Sequence, residues 1–142
     1  MMKKKHQNCY QFEVYKAAEG YSSITTMVVR KGKVVERWYK STADDPKNTQ
    51  YNVEWKELGA EVGQHKEQGQ RAMTLDNVYM KAASLVYVPK SYPRGGRPKE
   101  EMRYYSFGVD RNGIISTVGV TAVSCVDNCF SGYELRHLSW CA

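Results

Sequence analysis

The sequence contains no run approaching the roughly eighteen apolar residues that a membrane-spanning helix needs. Nor does an apolar stretch follow the basic residues near its start: Lys3, Lys4 and Lys5 lead into His6, Gln7 and Asn8, so no signal peptide is legible. A chain that starts at a new Met after signal removal reads the same way, and secretion stays open. Leucine is scarce, with five residues, and phenylalanine scarcer, with three. There is no internal repeat and no domain linker. Gly108 and Gly113 lack the Lys-Ser or Lys-Thr that would make a phosphate loop, and Gly95-Gly96 lies among prolines instead of between a strand and a helix.

What is present fits one small α+β domain. At 142 residues the chain has the commonest domain size, and its 42% apolar and 25% charged residues argue against a mostly disordered chain. Eleven tyrosines and three tryptophans carry the aromatic content. Tyrosine joins an apolar body to a polar tip, which suits half-buried sheet faces or a wet binding surface.

Alternation of apolar and polar residues marks the strands. Cys9 to Ala17 alternates Tyr10, Phe12 and Val14 with Gln11, Glu13 and Tyr15, and Glu19-Gly20 turns into a second strand from Ser22 to Arg30. Lys31-Gly32 is a two-residue hairpin signal leading to Val34 to Tyr39. Ser41 to Gln50 reads as an exposed loop, Tyr51 to Leu58 as a short extended piece, and Gly59 to Gln70 as irregular or weakly helical. Leu75, Val78, Tyr79, Ala82, Leu85 and Val86 lie on one helical face, with Thr74 as cap and Asp76 in the first turn, so a helix is expected from Leu75 to Tyr87. Ser91 to Lys99 is loop. Arg103 to Val109 and Ile114 to Thr121 flank an Asn112-Gly113 hairpin, Ala122 to Gly132 is a loop, and Tyr133 to Trp140 closes the chain. The expectation is an antiparallel sheet of five to six strands with one helix packed on one face, residues 9–142 forming a single domain behind a flexible basic tail of residues 1–8.

Tyr10-x-Phe12, Val28-Val29 with Gly32-x-Val34, Thr74-Leu75-Asp76 with Tyr79, and Tyr105 with Val109-Asp110-x-x-Gly113 form a pattern across residues 9 to 140. In these residues the chain resembles the small secreted or lipoprotein-like domains of domain-of-unknown-function family 6174. The resemblance implies an extracytoplasmic setting and brings no established activity.

The four cysteines, Cys9, Cys125, Cys129 and Cys141, are disulfide candidates with three possible full pairings. Cys9 and Cys141 would be bridged if the first and last strands are neighbours, and Cys125 with Cys129 would close a short loop. An oxidised protein, secreted or in the cell envelope, is the favoured reading, with reduced thiols in a cytoplasmic protein as the alternative. The Cys125-x-x-x-Cys129 spacing also occurs in metal sites, but two further ligands would have to come from Cys9, Cys141, His65 or His137, each isolated, so no metal or other cofactor is expected. A nucleophilic Cys125 or Cys129 would need His137 as base and Asp127 to orient it. The acids Asp44, Asp45, Glu54, Glu57, Glu61, Asp76 and Asp110 each have a local role in a turn, cap or solvated face.

The net charge of +6 gathers in the tail and in Lys90 to Arg103. Arg94, Arg97, Lys99 and Arg103 are candidate polyanion contacts, with Trp38, Tyr104 and Tyr105 as stacking platforms for single-stranded nucleic acid. Glu100 and Glu101 dilute that patch, and oxidised cysteines place the protein away from most nucleic acid. The reading is therefore a non-enzymatic extracytoplasmic domain that binds a small molecule or protein with the aromatics Trp38, Tyr39, Trp55, Tyr79, Tyr105 and Phe107. Alternatives are a small enzyme using His137 or His65 with a nearby acid, and a polyanion binder.

Overall fold

The computed structural model describes residues 9–86, 103–122 and 130–141. Among the described residues seven strands form: β1 (Cys9–Ala18), β2 (Tyr21–Arg30), β3 (Lys33–Ala43), β4 (Glu54–Leu58), β5 (Arg103–Val109), β6 (Ile115–Ala122) and β7 (Phe130–Trp140). One helix, α1 (Leu75–Val86), lies between β4 and β5 in the chain. The strands make an antiparallel sheet of order β4-β3-β2-β1-β7-β6-β5. The tail of residues 1–8, the basic residues Arg94, Arg97 and Lys99, and the cysteines Cys125 and Cys129 lie outside the described residues.

The expected five to six strands are corrected to seven. The added strand is β4, which pairs along Glu36 to Lys40 of β3. Its alternation turns Glu57 inward, and a carboxylate at a core position hides a strand from any apolar pattern. β3 also runs on through Ser41 to Ala43, where a loop was expected, because inward Ser41 meets its hydrogen-bonding needs at the chain after Gln50.

Residues 9–75 with 134–141 form one compact unit, and the described residues of 76–133 a second. In the first, Lys31 and Gly32 both take positive φ, 50° and 78°, the pair of left-handed residues that a two-residue hairpin matched to strand twist requires. With β1–β2 also closed by a two-residue turn, the register is set, and three rows cross the inward face. One is Phe12, Met27, Arg37 and Glu57; the next is Val14, Thr25, Tyr39 and Trp55; the third is Lys16, Ser23 and Ser41. Phe12, Met27 and Val29 are fully buried and each contributes roughly 1.5–3 kcal/mol. The end of β7 pairs with β1, and there a disulfide joins Cys9 to Cys141 across a Cα separation of 5.3 Å. Beside it Trp140 meets Tyr10 edge to face at 5.9 Å. The Tyr10 hydroxyl accepts the N–H of Leu75 at 2.9 Å, satisfying one of the donors that the first turn of α1 leaves without a helical partner.

In the second unit the β5–β6 hairpin turns through Asp110, whose Oδ1 accepts the N–H groups of Asn112 and Ile114. Val78 of α1 and Val118 of β6 are fully buried. The Tyr79 hydroxyl accepts the N–H of Ile115 at 3.1 Å, tying α1 to the start of β6.

Candidate functional site

Small hydroxyl side chains occupy inward positions on β2 and β3 where a sheet core ordinarily carries Val, Ile or Leu. Ser23, Thr25 and Ser41 are all buried. They fill less volume than branched apolar residues, so the polar end of the inward face is left hollow. The facing wall comes from the irregular segment 67–70, and residues 50–53, which leave a 3-10 turn and run beside β3, form a further wall. The result is a cleft of about 270 Å³ lined by Lys16, Tyr21, Ser23, Thr25, Tyr39, Ser41, Gln50, Tyr51, Glu67, Gln68, Gly69 and Gln70 together with Val14 and Val53.

The segment 67–70 has no regular structure, and a buried ion pair holds the chain on either side of it. Arg37 and Glu57, directly paired across β3 and β4, are 2% and 1% exposed, with Nε to Oε1 at 2.7 Å. Oε1 of Glu57 also accepts the N–H of Gly63 at 2.9 Å, and Oε2 accepts both the N–H of His65 at 2.6 Å and its Nδ1–H at 2.8 Å. The other guanidinium nitrogens of Arg37 donate to the carbonyls of Gln70 at 2.9 Å and His65 at 2.7 Å. Burial pushes the Glu57 carboxyl up, but the hydrogen bonds from Arg37, Gly63 and His65 together outweigh it and hold the group well below the usual carboxylate range. Both charges are thus satisfied inside the unit.

Aromatic stacking continues the clamp. The His65 ring lies on Trp55 at 4.0 Å with the planes 6° apart, and Tyr39 stacks on Trp55 at 5.4 Å. The Trp55 indole N–H donates to Gln68 Oε1 at 3.1 Å, and the Gln70 N–H to Thr25 Oγ1 at 3.0 Å. Gly69 passes so near the sheet that a Cβ there would lie 3.1 Å from Tyr39 and 3.3 Å from the Thr25 hydroxyl, at a φ of +80°. On the other wall the Tyr51 ring stacks on Tyr21 at 5.2 Å, and the Ser41 hydroxyl donates to the Tyr51 carbonyl while accepting the N–H of Val53.

The aromatics expected to form a site divide among three places. Tyr39 and Trp55 are stacked partners on the inward face, and the Tyr39 ring borders the cleft. Trp38, one residue along β3, points outward, where Lys56 Nζ lies 4.2 Å from its ring centroid and its own buried indole N–H has no partner among the described residues. All three line a shallower depression of about 500 Å³ with Glu13, Thr26, Lys40 and Lys56. Tyr79, Tyr105 and Phe107 belong to the second unit and are all exposed. His137 occupies the extra residue of a register break in β7, with φ 52°, and hydrogen-bonds Glu13. The hydroxyl and amide residues of the cleft were not singled out in sequence. Their signal is there: the turn at Glu19-Gly20 pairs Lys16 with Ser23, and Ser23, Thr25, Met27 and Val29 share a face. No family model, curated protein or solved structure matches this chain.

Proposed function

We propose that the protein is a non-enzymatic binding domain and that its ligand is a small polar molecule held in the cleft between the inward face of β1–β3 and the segment 67–70. The observation that carries this reading is Ser23. It is 7% exposed, it lines the cleft, and its hydroxyl has no hydrogen-bond partner among the described residues. The hydroxyl opens into the cleft, where it can donate to a ligand or accept from one. The Cys9–Cys141 disulfide supports an oxidising, extracytoplasmic setting, in keeping with the resemblance to family 6174. Among the described residues no helix is long and apolar enough to cross a membrane.

The test is a titration of isotope-labelled protein with a collection of small polar molecules, read as backbone amide shifts. Saturable shifts gathered at Ser23, Thr25, Ser41 and 68–70 are expected. Shifts confined to Trp38, Lys40 and Lys56 would move the site to the outer depression and overturn the assignment.

A second reading, a small enzyme, rests on His65, the histidine whose ring is aligned by a buried carboxylate. If substrate screening finds a turnover, His65→Gln should abolish it, and a turnover that survives the change removes this reading.

A further inference from the structure

Resting on the cleft as the binding site, we infer that its ligand is a neutral, polyhydroxylated molecule of about one sugar ring. The size comes first. At about 270 Å³ the cleft falls below the roughly 300–1,000 Å³ of sites that take drug-sized ligands, so a single ring with its substituents is what it accommodates.

The lining gives the chemistry. Ser23 and the side-chain amides of Gln50 and Gln70 each offer both a donor and an acceptor, which is the pattern that hydroxyl groups, themselves both, satisfy from any side. The Gln68 amide oxygen is committed to Trp55, which fixes that side chain and leaves its NH₂ group as a donor. Lys16 and Glu67 are the charged side chains of the lining, one of each sign and both exposed, so the cleft has no net charge to select an anion or a cation. The Tyr21, Tyr39 and Tyr51 rings supply apolar surface of the kind that the C–H face of a sugar ring packs against. An apolar ligand would take water from the Ser23 hydroxyl and the glutamine amides and give them no partner in return, and a strongly charged one would meet a single opposed charge at the rim.

The experiment titrates the full chain with glucose, galactose, mannose and N-acetylglucosamine, and in parallel with inorganic phosphate, glutamate and lysine, following amide shifts. At least one neutral sugar should give a saturable response at Ser23, Thr25 and 68–70. Binding should weaken about fivefold to tenfold in Ser23→Ala with the melting temperature unchanged, because that hydroxyl has no hydrogen-bond partner among the described residues. It should also be indifferent to salt. If phosphate, glutamate or lysine saturates the cleft amides and no sugar does, the ligand class is wrong while the cleft stands. If the sugars shift only residues of the outer depression, the class and the cleft reading fall together.

Discussion

Glu57 is a carboxylate in a place almost closed to water, and four donors from Arg37, Gly63 and His65 make that tolerable. Removing one member of such a group leaves the other charge buried and unpaired. Glu57→Gln is therefore expected to lower the unfolding free energy by about 3 kcal/mol in a urea titration. The pH dependence follows from the same bonds. The folded group titrates well below its unfolded value of about 4.3, so its contribution is complete above that pH and is lost progressively as pH falls from there toward the lower folded value. Stability of the wild-type protein should drop as pH falls below about 4, and Glu57→Gln should flatten that limb. Two of the three tryptophans make a contrasting pair. Trp38 carries a buried N–H with no partner among the described residues, whereas the Trp55 N–H bonds Gln68 and its rings stack on two neighbours. Trp38→Phe should cost less than Trp55→Phe by about 1 kcal/mol or more in matched thermal melts.

At the scale of elements, the hairpins were legible and the excursion was not. Lys31-Gly32 was legible because the strand twist demands two left-handed residues in a two-residue hairpin: Gly32 takes that conformation freely, and Lys31 is carried into it by the pairing of the strands on either side. β4 and the segment 59–70 obey no local pattern, because what orders them is Arg37, distant in sequence, reaching the carbonyls of His65 and Gln70. Arg37→Met should accordingly speed amide hydrogen exchange at 63–70 while leaving the β1–β2 hairpin protected. Gly69 is a point of close approach, and Gly69→Ala should destabilise by about 1–3 kcal/mol, since it combines left-handed φ with contact on Tyr39 and Thr25. The helix was read correctly from its apolar stripe, yet its first N–H is met by Tyr10 of β1, a partner no local pattern names.

For the whole molecule, the Cys9–Cys141 bridge ties the start of β1 to the end of β7 across 132 residues. Closing so long a loop restricts the unfolded chain strongly, and reduction should cost the unit that contains it about 4 kcal/mol. Denaturing alkylation without reductant should leave both cysteines unmodified, and a thermal melt with reductant should show the lowered transition. A bridge between these two had been one of the pairings that the count of four left open. The order β2-β1-β7 makes it, since it places the first and last strands side by side.

The sequence by itself determined that the chain is antiparallel sheet with one helix, where most turns fall, and which residues alternate to a common face, because backbone twist and side-chain period act over a few residues. Only the tertiary structure decided that Ser23, Thr25 and Ser41 face a hollow, that Glu57 is buried beside Arg37, and that Trp38 and Tyr39 serve opposite faces. Those outcomes depend on strand order and on an irregular segment held by long-range hydrogen bonds, and neither is encoded in any local window of residues.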